Sequence, residues 1–280
     1  MPFISVGEQL LHYLDTGGDG PTVVLTHGMT LDAESLRHQI EDLRNDYRVV
    51  MWDQRDHGRS SVWPEPHSFW DSADDLARLF DALGIDEAVV GGTSQGGFAS
   101  LRFALRYPER CAGLILVATH ASSTKNGWSS SWSTFVRNWV EQGPCERLID
   151  ELRQTTGTIG WEDESRWLDS LLTRPSWWFA KIYDVIVQRD DIHHLLGELE
   201  IPVLVIEGEH DRMVKRTMVD RMCSAIPTVV QRAIISGAGH CPMQTHPEQV
   251  NELIRNYLRA IGMAAARAEV AHLQASYALL

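Results

Sequence analysis

A serine inside a glycine turn, between a strand pattern and a helix pattern, constrains the fold of this chain more than any other feature. Residues 92–96 read Gly-Thr-Ser-Gln-Gly. A short apolar run at 88–90 precedes them, and apolar residues with helical spacing follow as far as Tyr107-Pro108. Such a G-x-S-x-G turn holds its serine in a sparsely allowed backbone conformation and lifts Oγ above the sheet edge. We therefore predict that Ser94 is a nucleophile.

Composition and charge narrow the function classes. A chain of 280 residues suffices for one large domain with an inserted subdomain. The formal charge of −13 disfavours nucleic acid and anionic membrane surfaces as partners. The sequence shows no signal-peptide pattern, no apolar run of the roughly 20 residues that span a bilayer, and no C-x-x-C spacing among its four cysteines. We expect a soluble, cytoplasmic enzyme, monomeric or homodimeric, that acts on a small molecule and binds neither nucleic acid nor a membrane.

The first part of the chain alternates strand and helix patterns. Unbroken apolar runs occur at 21–26, 47–52 and 111–118, and amphipathic helical patterns lie between them. This alternation is typical of an α/β fold in which a mostly parallel central sheet is covered by helices on both faces.

The alternation stops at about residue 122. From there to about residue 198 the chain has no convincing core strand, but it has seven of the ten tryptophans and four helical stretches, at roughly 129–142, 144–156, 161–173 and 176–189. We predict an inserted helical cap. The predicted segments are the first part of the core at 1–121, the cap at 122–198, the second part of the core at 199–262, and a C-terminal helical extension or tail at 263–280.

A serine hydroxyl needs a base, and the base needs an orienting acid. For this type of elbow the expected chain order is serine, acid, histidine. Asp211 comes soon after a buried strand pattern, where an open α/β sheet carries its functional groups. His240 lies in a glycine loop after the next strand pattern. We predict Asp211 as the acid and His240 as the base. The neighbours that could take these roles instead are Glu207, Glu209 and His210.

The residues after the first buried strand, His27-Gly28-Met29, suggest how an oxyanion would be bound. A glycine turn there lets the N–H of Met29 join that of Gln95 as a two-donor oxyanion hole. We expect His27 to support this loop rather than to act as a second base. The pair His193-His194 lacks further ligands at suitable spacing, so we expect no metal and no cofactor.

Together these motifs resemble the α/β-hydrolase superfamily, in order and over nearly the whole chain. The matching segments are His27-Gly28, the D-x-R-G-x-G-x-S-like turn at 53–60, the elbow at 92–97, Gly208-x-x-Asp211 and Gly239-His240. The resemblance implies the α/β-hydrolase fold. It is strongest for the branch with a helical cap between sheet strands six and seven, which contains small esterases, enol-lactonases and cofactor-free haloperoxidases.

Three residues bear on departures from that family. Asp56 stands where the turn usually has glycine, so it either adopts the left-handed conformation or places a carboxylate near the entrance. Haloalkane dehalogenases and epoxide hydrolases of this fold carry aspartate at the elbow, and Ser94 excludes both chemistries. Carbon–carbon bond hydrolases usually place tryptophan after the catalytic histidine, whereas this chain has Cys241.

The residues and the resemblance predict hydrolysis of a carboxylic ester or lactone through an acyl-enzyme on Ser94. Three alternatives stay open. A carbon–carbon bond hydrolase or a perhydrolase with haloperoxidase side activity could use the same three residues. Outside enzymology, the fold could serve as a ligand receptor with slow or no turnover.

Substrate recognition is expected in the cap. As a set, its tryptophans favour an apolar or aromatic acyl or alcohol group. The candidate substrate-binding residues are Trp128, Trp132, Trp177 and Trp178. Because two of them are adjacent on a helix, their rings face about 100° apart and at most one of that pair points into the pocket. Arg174, Lys181 and Arg189 could bind a substrate carboxylate, although surface solvation is the favoured interpretation of each.

Overall fold

A computed structural model describes residues 2–7, 9–123 and 130–263. Its described residues contain one eight-stranded sheet with the order β1-β2-β4-β3-β5-β6-β7-β8. The strands are β1 (Phe3–Val6), β2 (Gln9–Asp15), β3 (Thr22–Thr26), β4 (Arg48–Trp52), β5 (Ala88–Thr93), β6 (Cys111–Val117), β7 (Val203–Gly208) and β8 (Val229–Ile235). β2 pairs antiparallel with β1 and with β4, and all later pairings are parallel. The predicted α/β class with a mostly parallel sheet is confirmed.

Ten α-helices surround this sheet in the described chain. They are α1 (Arg37–Leu43), α2 (Phe69–Leu83), α3 (Gln95–Arg106), α4 (Ser130–Gln142), α5 (Glu146–Thr156), α6 (Glu164–Leu172), α7 (Ser176–Gln188), α8 (Arg216–Ala225), α9 (Pro242–Thr245) and α10 (Pro247–Ala260). Local signals fix several ends: α2 begins with a capping box between Ser68 and Asp71 and ends at Gly84 with φ 62°.

The central strands are buried on both faces because each face is covered by helices. Leu114 and Leu116 of β6 pack into the apolar cluster that includes residues of α2, α3 and α8, whereas Ile115 and Val117 pack into the cluster that includes residues of α1 and α10. This alternation follows from the two-residue period of a strand. A rigid sheet covered in this way fixes the positions of the loops at its carboxyl edge.

The helices α4 to α7 lie between β6 and β7 in sequence and have an apolar core of their own. That core includes Trp139, Trp167 and Phe179, and Leu31 from the loop after β3 joins it. The helical cap of the predicted fold is therefore present.

Some parts of the chain differ from or fall outside the expectations. The antiparallel strands β1 and β2 precede the first strand that the sequence pattern indicated. The predicted C-terminal extension lies almost entirely outside the described residues, as does Trp128. Within the described residues, no helix combines the length and apolar character of a membrane span.

Candidate active site

The predicted elbow is formed between β5 and α3. Ser94 has φ 51° and ψ −113°, a conformation that L-residues rarely adopt. The turn is tight because a Cβ on Gly92 would overlap the backbone of Gly96, and a Cβ on Gly96 would overlap the carbonyl of Thr26. The backbone N–H of Ser94 donates to the carbonyl of Val117 on β6 at 2.8 Å. The neighbouring strand therefore holds the strained residue in place.

The strain is not confined to the elbow. The four non-glycine residues with positive φ in the described chain are Thr30, Asp56, Ser94 and Ala118. Each follows one of the adjacent parallel strands β3, β4, β5 and β6, at the carboxyl edge of the sheet. Strained residues of this kind cluster at functional sites, where the surrounding structure enforces them. This edge is where an open α/β sheet places its ligands.

Asp211 and His240 meet at the same edge. Nδ1 of His240 donates to Oδ2 of Asp211 at 2.9 Å, and both side chains are about 6% exposed. The backbone N–H groups of Met213 and Val214 donate to the other carboxylate oxygen at 2.8 and 3.0 Å. The acid is thus held by its own loop, and it fixes the imidazole tautomer that leaves Nε2 free to accept a proton.

Of the alternative acids, neither contacts His240. Glu207 is buried and accepts from Nε of Arg232 at 2.6 Å, while exposed Glu209 accepts from the N–H of Gly237 at 2.9 Å. His210 is 68% exposed. Asp211 is therefore the carboxylate among these candidates that the structure brings to the histidine.

His27 supports the loop after β3 through a hydrogen bond at each of its ring nitrogens. Its Nδ1 donates to the carbonyl of Gly28 at 2.8 Å, and its Nε2 accepts from the N–H of Gln54 at 3.1 Å. Burial lowers the pKa of His27, so the ring stays neutral. Both ring nitrogens are used within the protein, which agrees with a supporting role.

The two predicted oxyanion donors flank Ser94 from different elements. Met29 lines the cavity in front of Ser94, and Gln95 is the first residue of α3, where a backbone N–H has no partner within the helix. The Gln95 side chain points elsewhere, because its Nε2 lies 3.5 Å from Nε2 of His57. His57 in turn donates from Nδ1 to the carbonyl of Arg55 at 2.7 Å. Burial lowers the pKa of His57 to about 3.

Ser94 and His240 line one cavity of about 20 Å³ between the core and the cap. Its walls are mostly apolar. The other lining residues are Gly28, Met29, Thr30, Leu31, Thr93, Leu152, Thr156, Thr158, Trp167, Met213 and Cys241. None of these is a lysine, arginine, aspartate or glutamate. Burial raises the pKa of the Cys241 thiol to about 12, so this neighbour of His240 stays uncharged.

The structure does not bring the three described candidate tryptophans to this cavity wall. Trp132 packs on Phe135 within the cap, Trp177 is 51% exposed, and buried Trp178 donates from its indole N–H to the carbonyl of Asp56. The tryptophan at the cavity is Trp167, whose indole N–H donates to the carbonyl of Thr30 at 3.1 Å. Helical periodicity could not select it, because every one of these residues lies on an amphipathic helix.

The three cationic candidates also bind protein groups rather than line the cavity. Arg174 donates to the carbonyl of Gly58, and Lys181 contacts Oδ1 of Asp56 at 2.7 Å. Arg189 donates from Nε to the carbonyl of Ser122 at 3.0 Å. Arg174 and Lys181 thereby connect the cap to the core, and Arg189 does so through its second contact, to Nε2 of His120 at 3.1 Å.

The structure distinguishes between the two possibilities for Asp56, a left-handed conformation and a carboxylate near the entrance. Asp56 has φ 66°, the left-handed conformation, and its side chain is fully buried. Its Oδ1 also accepts from the N–H of Trp63 at 2.6 Å. It does not place a carboxylate at the entrance.

One group of possible metal ligands occurs among the described residues, and it lies away from the cavity. His38, Glu162 and Asp163 bring their ligand atoms within 4.8 Å of one another. Arg37 donates to both carboxylates, so a protein cation already occupies this group. Like Lys181, Arg37 ties the core to the cap.

Comparisons with known proteins agree with this fold. A family model described as alpha/beta hydrolase fold matches residues 21–247. A thermophilic esterase from Thermogutta terrifontis has a similar structure, with a TM-score of 0.79 and 31% identity over 90% of this chain and 94% of that chain.

Two curated relatives are more distant in sequence. The 2-hydroxy-6-oxononadienedioate/2-hydroxy-6-oxononatrienedioate hydrolase of Paraburkholderia phymatum is 28% identical over 90% of this chain and 91% of that protein. Epoxide hydrolase 1 of Caenorhabditis elegans is 26% identical over 91% of this chain and 69% of that protein.

Proposed function

The chain belongs to the alpha/beta hydrolase fold family, and on that premise we propose that it hydrolyses a carboxylic ester or lactone of a small, uncharged, apolar molecule. The observation that carries the proposal is the cavity that Ser94 and His240 share, with His240 hydrogen-bonded to Asp211 and no lysine, arginine, aspartate or glutamate among its lining residues. A metal or cofactor has no step in this mechanism.

In the first half-reaction, Oγ of Ser94 attacks the carbonyl carbon while Nε2 of His240 takes the hydroxyl proton. The negative charge that develops on the carbonyl oxygen is bound by the N–H groups of Met29 and Gln95. Asp211 stabilises the imidazolium that forms. Nε2 then protonates the leaving alcohol, and the acyl group remains on Ser94.

In the second half-reaction, His240 deprotonates a water molecule that attacks the acyl carbon. Collapse of the second oxyanion breaks the bond to Oγ of Ser94, which recovers its proton from His240. The products are a carboxylic acid and the free enzyme.

The size of the cavity favours short acyl chains. About 20 Å³ holds one or two small groups, since a single water needs about 10–15 Å³ by the same measure. A bulky aromatic acyl group, which the cap tryptophans suggested, requires the cap helices to move apart. We expect acetyl esters to be turned over faster than octanoyl esters.

Carbon–carbon bond hydrolysis is the second candidate, because the Paraburkholderia relative is a hydrolase of a dienedioate. A dicarboxylate calls for cationic groups near the reacting carbon. No lysine or arginine lines the described cavity, so the ester or lactone reaction is favoured. We do not propose epoxide hydrolysis, because the elbow carries serine.

The test measures hydrolysis of p-nitrophenyl esters from acetate to octanoate, and of a lactone panel, by the wild type and by Ser94→Ala. The exposed serine on α8 gives a matched control, Ser224→Ala, which should keep full activity. Turnover that depends on Ser94 supports the proposal. If a phosphonate probe labels Ser94 but no ester or lactone is hydrolysed, the substrate class is wrong, and a vinylogous diketone and peroxide are tested next. If the probe also fails to label Ser94, the receptor alternative gains support.

A further inference from the structure

The cap contributes two threonines to a mostly apolar cavity wall. Thr156 ends α5 and Thr158 follows the helix by two residues. Their side chains line the cavity together with His240, although they are only 7% and 1% exposed. A buried hydroxyl in an apolar wall is expected to have a hydrogen-bond partner, because an unpaired hydroxyl there costs free energy.

Each threonine hydroxyl has one hydrogen to donate, and this decides the direction of the hydrogen bond between the two. Oγ1 of Thr156 donates its one hydrogen to the carbonyl of Leu152 at 2.8 Å. The two Oγ1 atoms lie 3.1 Å apart, and while Thr156 donates to Leu152, Thr158 is the donor in that contact and Thr156 the acceptor. With its hydrogen used, Oγ1 of Thr158 can only accept. The cap therefore presents an acceptor, and no donor, to the cavity at this point.

This acceptor lies beside the histidine loop. Gly157, with φ 70°, contacts Gly239 so closely that a Cβ on it would lie 2.9 Å from the Cα of Gly239 and 3.5 Å from the backbone nitrogen of His240. These two glycines are the chain neighbours of Thr158 and His240. The cap turn and the histidine loop thus meet backbone to backbone, and their next residues face the same cavity.

We propose that Thr158 binds and orients the water that hydrolyses the acyl-enzyme. The inference rests on the proposed function. The water approaches from the side of the departed alcohol, because His240 protonates the one and deprotonates the other. It donates one hydrogen to Oγ1 of Thr158 and the other to Nε2 of His240, which leaves an oxygen lone pair for the acyl carbon. A cavity of about 20 Å³ accommodates one water molecule.

Atoms and protons balance in this step. The C–O bond from water forms as one water proton passes to Nε2 of His240, and the second hydrogen stays on the new carboxyl group. The bond from the acyl carbon to Oγ of Ser94 then breaks, and the proton on His240 moves to Oγ. Thr158 neither gains nor loses a proton. It acts by holding the water in line, so its removal should slow deacylation and leave acylation unchanged.

The experiment compares Thr158→Val with the wild type on p-nitrophenyl acetate in a stopped-flow instrument. We expect the variant to release a burst of nitrophenol approaching one equivalent per enzyme at the wild-type rate. Its steady-state rate should fall about 10- to 100-fold, the size of effect expected from misplacing a reactant. Mass spectrometry should show the acetyl group on Ser94. Hydroxylamine, a stronger nucleophile than water, should restore turnover, and Thr158→Ser, which keeps the hydroxyl, should recover most of the deacylation rate.

The matched control is Thr155→Val, three residues earlier in the chain, at the end of α5. Its hydroxyl donates to the carbonyl of Glu151 at 2.6 Å, as that of Thr156 does to Leu152, but Thr155 does not line the cavity. It should behave as the wild type does. If Thr158→Val does not fold, Thr158→Cys replaces the hydroxyl by a weak sulfur acceptor and is expected to give the same burst.

Two outcomes would overturn the inference. A Thr158→Val enzyme with a normal steady-state rate shows that the hydroxyl does not hold the water. A burst that slows in parallel with the steady state shows a general structural defect. If the wild type forms no acyl-enzyme and a phosphonate does not label Ser94, the proposed function fails first and the water site with it.

Discussion

Two turns at the same edge of the sheet share a positive φ but use their side chains differently. Ser94 follows β5 with φ 51°, and Asp56 follows β4 with φ 66°. Ser94 faces the cavity, whereas the side chain of Asp56 is fully buried and contacts the ammonium of Lys181 on the cap at 2.7 Å. A strained residue at this sheet edge is therefore not by itself a sign of reactivity. What decides its role is whether the neighbouring groups leave its side chain free or bind it.

The largest effect is expected at the elbow. Replacing Ser94 by alanine or glycine should lower kcat/KM by about 10⁴-fold or more, because the nucleophile is lost. Glycine tolerates the positive φ that alanine does not, so Ser94→Gly should be more stable than Ser94→Ala by about 1 kcal/mol. Urea unfolding of both variants measures this difference. Equal stability would show that the elbow stores no strain.

The second test asks which carboxylate serves the reaction. Asp211→Asn should reduce kcat by about 10⁴-fold, the loss seen when a triad acid no longer fixes the histidine tautomer. The exposed neighbour provides the control, and Glu209→Gln should stay within about twofold of the wild type because its carboxylate does not contact His240. Comparable losses in both variants would contradict the assignment of Asp211.

The sequence predicted the site residues of the core better than those of the cap, and the reason is physical. Ser94, Asp211 and His240 each lie in a glycine-containing loop after a strand, and parallel strands bring all such loops to one edge. Their meeting follows from topology. The strain at Ser94 and the left-handed conformation at Asp56 could likewise be expected from the motifs that contain them.

The cap residues at the cavity could not be predicted in this way. Trp167 and Thr158 line it while Trp177 is half exposed, although all three occupy a helical subdomain without sequence motifs. Which face of a cap helix meets the core depends on how the four helices pack on one another. Periodicity defines an apolar face but not its partner. The hydrogen-bonded pair Gln95–His57 was also missed, because nothing in its spacing links the two residues.

Acid should destabilise the protein through two buried histidines near the carboxyl edge of the sheet. His57, in the Asp56 turn, and His120, beyond the elbow helix, both have their pKa lowered to about 3 by burial. The unfolded chain therefore binds more protons than the fold between about pH 3 and pH 6.5, so stability falls as pH falls through this window. At pH 5 each histidine should cost on the order of 2 kcal/mol relative to neutral pH.

Urea unfolding at pH 7 and pH 5 measures this cost in the wild type and in His57→Gln. Glutamine cannot titrate. The free energy of unfolding that the variant loses between pH 7 and pH 5 should therefore be smaller than the wild type's loss by about 2 kcal/mol. His246→Gln, at a half-buried histidine that does not line the cavity, is the control for the substitution itself. An identical pH dependence for His57→Gln would show that His57 is protonated in the fold.

The smallest effect is expected when glycine is placed in the second turn. Asp56→Gly relieves the positive φ, as Ser94→Gly does, but it removes the acceptor for the N–H of Trp63 and for Lys181. Because an unsatisfied buried donor costs about 1–3 kcal/mol and aspartate tolerates the left-handed conformation well, we expect a net loss of about 1 kcal/mol. Glycine should therefore be favourable relative to alanine in the Ser94 turn but unfavourable relative to the native aspartate in the Asp56 turn. Asp56→Asn keeps an acceptor and should fall between Asp56→Gly and the wild type. A gain in stability for Asp56→Gly would show that the cap is not anchored through this carboxylate, and the two turns would then differ only in exposure.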